Sequence, residues 1–65
     1  MRLKELRKEK GVTQKEVADS IFCSANGYVR YEREEREPDI KTLKRLSKYF
    51  DVSIDYIVGN SNNYI

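Results

Sequence analysis

Histidine is absent from this chain, and cysteine and proline each occur once. The missing histidine removes the commonest general base and most nucleophilic triads. With Cys23 as the sole thiol and no histidine, a metal centre of the usual Cys/His type is not expected. A single cysteine cannot form a disulfide within the chain. Flanked by Phe22 and Ser24, it reads as a small core residue rather than a reactive thiol. Three glycines, Gly11, Gly27 and Gly59, lie too far apart for a phosphate-cradling loop. Carboxylates are plentiful but scattered among lysines and arginines. No catalytic constellation emerges, and the expectation is a protein that is not an enzyme and carries no cofactor or metal.

Long apolar runs are also missing. The opening M-R-L-K-E-L-R-K-E-K is charged throughout, unlike a secretory leader, and nothing approaches membrane-spanning length. A cytoplasmic protein without membrane association is therefore expected. At 65 residues the chain is one domain near the lower limit for a single hydrophobic core. Without disulfides or metal, it needs tight helix packing or a partner subunit. Net charge is only +2, but the 13 Lys and Arg residues all fall within positions 1 to 48. Residues 51 to 65 carry only Asp51 and Asp55. The basic part and the acidic-to-neutral tail are separated.

What is present is a series of helix signals. Leu3, Leu6, Arg7 and Lys10 share one face of a first helix, over about residues 1 to 9, which Gly11 stops. T-Q-K-E, residues 13 to 16, has the pattern of a capping box, with Val12 and Val17 as a hydrophobic staple. The second helix then runs from Gln14 to about Ile21, with Val17, Ala18 and Ile21 inward. Ser24 caps a third helix, with Cys23 and Tyr28 at the staple positions. The link between the second and third helices is so short that they must cross steeply, as in a helix-turn-helix. Pro38 and Asp39 break and restart the chain. Ile40, Leu43, Leu46 and Phe50 mark the apolar stripe of a fourth helix. Ser53 caps a fifth, with Val52 and Ile57 as a staple and Gly59 beyond its end. The expected fold is all-α, five helices over residues 1–59, followed by a short polar tail over 60–65.

The third helix has two unlike faces. At about 100° per residue, Asn26, Val29, Arg30 and Arg33 gather on one side. Gly27, Tyr28, Tyr31 and Glu32 gather on the other, the natural inward side. A buried, unpaired Glu32 carboxylate costs several kcal/mol. Arg7 shares the inward face of Leu3 and Leu6, so an Arg7–Glu32 ion pair is expected. The alternative is that both side chains reach past the core to solvent. The outward face offers asparagine, which pairs with adenine in the major groove, and arginine, which pairs with guanine. A solvated polar face is the plainer reading of the same residues.

In combination, T-Q-K-E-V-A, S-A-N-G-Y-V-R-Y-E and R-E-P-D-I-K-T-L-K-R-L-S-K-Y-F-D-V-S-I-D-Y-I-V-G resemble the Cro/lambda-repressor type of helix-turn-helix regulators, also called the xenobiotic-response-element (XRE) family. The resemblance spans residues 1 to 59. It implies a lambda-repressor-like five-helix domain that binds operator DNA as a dimer, with the third helix in the major groove. Ala25, Asn26, Val29 and Arg30 would then meet bases, Ala25 through its methyl group alone. Gln14, Lys15, Arg33 and Arg36 would meet phosphates, and Arg7 with Glu32 would be the family's buried ion pair.

The sequence departs from the family at Phe22, where glycine or asparagine is common in the turn. A positive φ there strains phenylalanine unless core contacts compensate. Gly27 lies inside the third helix, where it weakens the helix or permits close packing on the second. Glu34 and Glu35 bring carboxylates into a phosphate-facing loop unless they point away or pair with Arg33 and Arg36.

The resemblance therefore implies a sequence-specific regulator, most simply a repressor binding a palindromic operator. No small-molecule ligand is expected. The fifth helix and tail, with Ile54, Ile57, Val58, Tyr64 and Ile65, would form the homodimer contact or finish the core. The same surface fits a second reading, an antitoxin or adaptor module whose main partner is another protein.

Overall fold

The computed structural model describes residues 1–59; the tail over 60–65, with Tyr64 and Ile65, lies outside the described residues. Five helices follow in order: α1 (Leu3–Lys10), α2 (Gln14–Ser20), α3 (Ala25–Glu32), α4 (Ile40–Phe50) and α5 (Ile54–Val58). The described residues contain no strand and no helix long and apolar enough to cross a membrane.

Local sequence accounts for the helix starts. Thr13 Oγ1 accepts from the Glu16 amide at 3.1 Å, and Glu16 Oε1 accepts from the Thr13 amide at 3.1 Å, so the capping box is complete. Ser24, Asp39 and Ser53 each accept from the backbone amide three residues on, at 3.0, 2.8 and 3.0 Å. Each cap satisfies one of the amides that a helix start leaves without a partner.

The helix ends were less legible. Gly11 and Gly59 stop α1 and α5 with φ of 74° and 90°. Phe22, Glu34 and Asp51 take the same left-handed conformation after α2, α3 and α4, at φ of 59°, 59° and 56°. The Phe22 amide donates to Asp19 O and the Cys23 amide to Ala18 O, a Schellman closure of α2. The Glu34 and Glu35 amides close α3 alike, onto Tyr31 O and Arg30 O. Each non-glycine residue in this region costs roughly 1–2 kcal/mol. Helix bounds differ slightly from expectation: α1 starts at Leu3, and Ile21 is the C-cap of α2 rather than its last residue.

One continuous core joins the elements. Leu3 and Leu6 of α1 meet Val17 and Ala18 of α2, Tyr28 and Tyr31 of α3, Leu46 of α4 and Ile57 of α5. Ile21 and Val52 complete it from the connections. Cys23 packs at its edge, half-buried. One expectation needs correction, and two open readings are decided. Ile40 does not extend the inward stripe of α4 but is 66% exposed, since at the first position of the helix it projects beyond the core. Phe22 gains no core contacts; it is 80% exposed, and its ring meets the Arg45 guanidinium, 4.8 Å from the ring centroid. Gly27 does serve close packing, but within its own turn rather than against α2. A Cβ there would meet Cys23 Sγ at 2.9 Å and Ser24 Oγ at 3.0 Å.

The capping box carries a direct test. Thr13→Ala removes the side-chain acceptor and is expected to lower stability by about 1 kcal/mol. Urea unfolding followed by circular dichroism measures it; an unchanged midpoint would show that the start of α2 is held by tertiary contacts alone.

Candidate nucleic-acid interface

The site is organised by what α3 buries. Gly27, Tyr28 and Tyr31 face inward, which rotates Ala25, Asn26, Arg30 and Arg33 into solvent with Val29 half-buried beside them. The four residues expected to read bases thus share one accessible face. Arg33 is the C-cap of α3 and continues that face toward the loop.

The rotation is fixed by Glu32, whose side chain is only 4% exposed. Its Oε2 accepts from Arg7 Nε at 2.6 Å, and its Oε1 from Arg7 Nη2 at 3.4 Å and Gln14 Nε2 at 3.2 Å. Arg7 Nη1 also donates to Val12 O at 3.2 Å. One carboxylate therefore ties α1, the α1–α2 link and the start of α2 to the end of α3. Burial pushes the Glu32 carboxyl up, but the donors around it outweigh burial and hold it below the usual carboxylate range. The same hydrogen bonds raise the Arg7 guanidinium above its ordinary value, against the opposing effect of burial. The buried Tyr28 hydroxyl lies close enough to Glu32 to feel its charge, and burial raises it strongly. Among the described residues, however, none meets that hydroxyl at hydrogen-bonding geometry.

Two more of the expected phosphate-binding cations are Lys15 and Arg36. Lys15, exposed on α2, reaches Asp19 at 3.3 Å, a surface pair of little energetic weight. Arg36 lies over the Tyr31 ring, its guanidinium carbon 5.8 Å from the centroid. Of the two loop glutamates, Glu34 takes the alternative of pointing away. Glu34 pairs with the Met1 ammonium at 2.7 Å, which depresses its carboxyl and carries it away from the arginines. No spacing rule in the sequence reveals a contact 33 positions apart. The described residues contain no group of side chains suited to holding a metal.

A short outward helix, packed most extensively against the helix before it and bordered by cations, is the arrangement of a DNA-reading pair. A family model described as helix-turn-helix matches residues 3–57. The chain belongs to the helix-turn-helix family, in its XRE-type branch. Its relatives include the HTH-type transcriptional regulator ImmR of Bacillus subtilis, 47% identical over 58 residues, which cover 89% of this chain and 46% of ImmR. The regulator YqaE of the same organism is 43% identical over 61 residues, 94% of this chain and 53% of YqaE. The CTXphi transcriptional repressor RstR of Vibrio cholerae is 33% identical over 64 residues, 98% of this chain and 58% of RstR. The chain spans about half the length of these relatives. No solved structure matches it significantly. These three relatives are named as transcriptional regulators, RstR as a repressor.

The lowered Glu32 carboxyl has a pH consequence. Its contribution to stability is present above the ordinary carboxylate value of 4.5 and is lost as pH falls through the depressed folded value. Glu32→Gln is expected to cost about 2 kcal/mol at neutral pH, below the roughly 3–5 of fully buried pairs, because the Arg7 side chain keeps 16% exposure. It should also flatten the loss of melting temperature between neutral pH and pH about 3. Equal acid sensitivity in parent and variant would remove Glu32 as a source of that loss.

Proposed function

We propose that the chain is a sequence-specific double-stranded DNA-binding regulator, acting as a repressor from an approximately palindromic operator. The single observation that carries this reading is the accessible α3 face of Ala25, Asn26, Val29 and Arg30, opposite a face locked by Glu32. Asn26 and Arg30 supply hydrogen bonds to base edges, worth about 1–3 kcal/mol of discrimination each. Ala25 and Val29 offer apolar contact to thymine methyl groups. Lys15, Arg33 and Arg36 supply the salt-dependent phosphate contacts. Gln14 joins them through its backbone amide at the first position of α2, because its side-chain nitrogen already donates to Glu32.

Repression would be steric, by a homodimer covering two half-sites about 34–36 Å apart. Ile54 and Val58 of α5, both half-buried, supply the described part of the dimer contact, while Ile57 is wholly buried in the core. RstR, named as a repressor, supports the direction of regulation. Such a protein works in the cytoplasm and needs no cofactor or small-molecule ligand.

Selection of bound duplexes from a random library at moderate salt tests this reading. The parent is expected to enrich an inverted repeat. Asn26→Ala/Arg30→Ala should lose about 10–100-fold of preference for that repeat while its melting temperature stays nearly constant, since both side chains are exposed. No enrichment by the parent, with weak salt-sensitive binding by both, would contradict it and favour a protein partner.

A further inference from the structure

The turn between α2 and α3 is where this chain departs furthest from easy backbone geometry. Phe22 sits there at φ 59°, a conformation suited to glycine, with its ring 80% exposed. Burial cannot hold it in place. From outside α2 and α3, Arg45, half-buried on α4, reaches the backbone of this turn. Its Nη1 donates to Ile21 O at 3.3 Å, satisfying a carbonyl at the α2 terminus. Its guanidinium carbon lies 4.8 Å from the centroid of the Phe22 ring. One planar cation therefore grips the residue before the strained peptide by a hydrogen bond and the strained residue itself by its π face.

We infer that Arg45 is a positioning residue for DNA reading: a clamp from α4 that holds the α2–α3 turn, and with it the start of α3, where a non-glycine residue occupies the turn. This rests on the base-reading proposal for α3. The chain of contacts is short. Ile21 O is held by Arg45, the Phe22 amide by Asp19 O and the Cys23 amide by Ala18 O. Ser24 follows as the cap of α3, and Ala25 and Asn26 are its first two residues. Any relaxation of Phe22 toward negative φ moves the residues that meet bases first. Base contacts tolerate displacements of only about 0.5 Å. Lysine is a poor replacement, because its point-like ammonium lacks the forked guanidinium that meets the Ile21 carbonyl and the Phe22 ring at once. Glycine at position 22 makes the clamp unnecessary, because it takes positive φ without strain.

The test compares Arg45→Met, Arg45→Lys, Lys41→Met and Phe22→Gly/Arg45→Met, all well below their melting temperatures. The readout is the ratio of affinities for the selected duplex and for one carrying a single substituted base pair in a half-site. Arg45→Met and Arg45→Lys are each expected to lower that ratio roughly tenfold. Lys41→Met, which removes a charge from an exposed site on the same helix, should weaken both duplexes and leave the ratio intact. Phe22→Gly/Arg45→Met should return the ratio to within about twofold of the parent. A full ratio in Arg45→Lys, or no rescue by glycine, would overturn the clamp. If Arg45→Met unfolds, Arg45→Lys and the glycine double variant decide the matter.

Should the parent enrich no duplex, the base-reading proposal fails, and amide chemical shifts of the free protein still judge the clamp. Shifts over residues 22 to 26 larger in Arg45→Lys than in Lys41→Met would support it, and equal shifts would refute it.

Discussion

A carboxylate buried at the wrong end of a helix constrains the rest of this domain. Glu32 is the last residue of α3, where the helix dipole disfavours an anion, and its side chain is almost fully removed from water. It is tolerable only because Arg7 and Gln14 both donate to it. Such pairs add little net stability compared with apolar packing, since desolvation offsets attraction. Their geometric demand is larger. The planar guanidinium and the carboxylate must meet edge to edge, which fixes the rotation of α3 against α1. Once Tyr28, Tyr31 and Glu32 face inward, Asn26 and Arg30 can only face out.

Helices this short do not sustain themselves. Isolated helices below about 12–15 residues are marginal in water, and the longest here has 11. The domain answers with side-chain caps at four helix starts and a left-handed residue at the end of each of its five described helices; those at Phe22, Glu34 and Asp51 are not glycine and dislike the conformation. Each is supported by a contact or closure at hand. Glu34 is drawn to the Met1 ammonium, and Phe22 to Arg45. Two of these three strained positions, Phe22 and Glu34, sit in the connections that flank α3, where backbone placement matters most for a reading helix.

Much of this was legible in the sequence because it is local. Thr13, Ser24, Asp39 and Ser53 announce helix starts through side chains that reach only three residues ahead. The inward position of Glu32 followed from its angular distance to Asn26 and Arg30, and Arg7 from its place beside Leu3 and Leu6. What escaped was non-local or backbone-determined. Helical spacing put Ile40 with Leu43 and Leu46, yet a first-turn residue overhangs the end of the core. The crowding at Gly27 comes from the Cys23 thiol folded back across the cap. The pairing of Glu34 with Met1 and of Arg45 with Ile21 O depends on how distant segments meet.

The central claim is that α3 meets DNA with the face opposite Glu32. Amide chemical-shift mapping of the labelled chain on its selected duplex tests it most directly. The account predicts the largest changes at Ala25, Asn26, Val29 and Arg30 and at the first residues of α2, with Leu3, Leu6 and Ile57 unmoved. Changes concentrated on α4 and α5, with α3 silent, would contradict it.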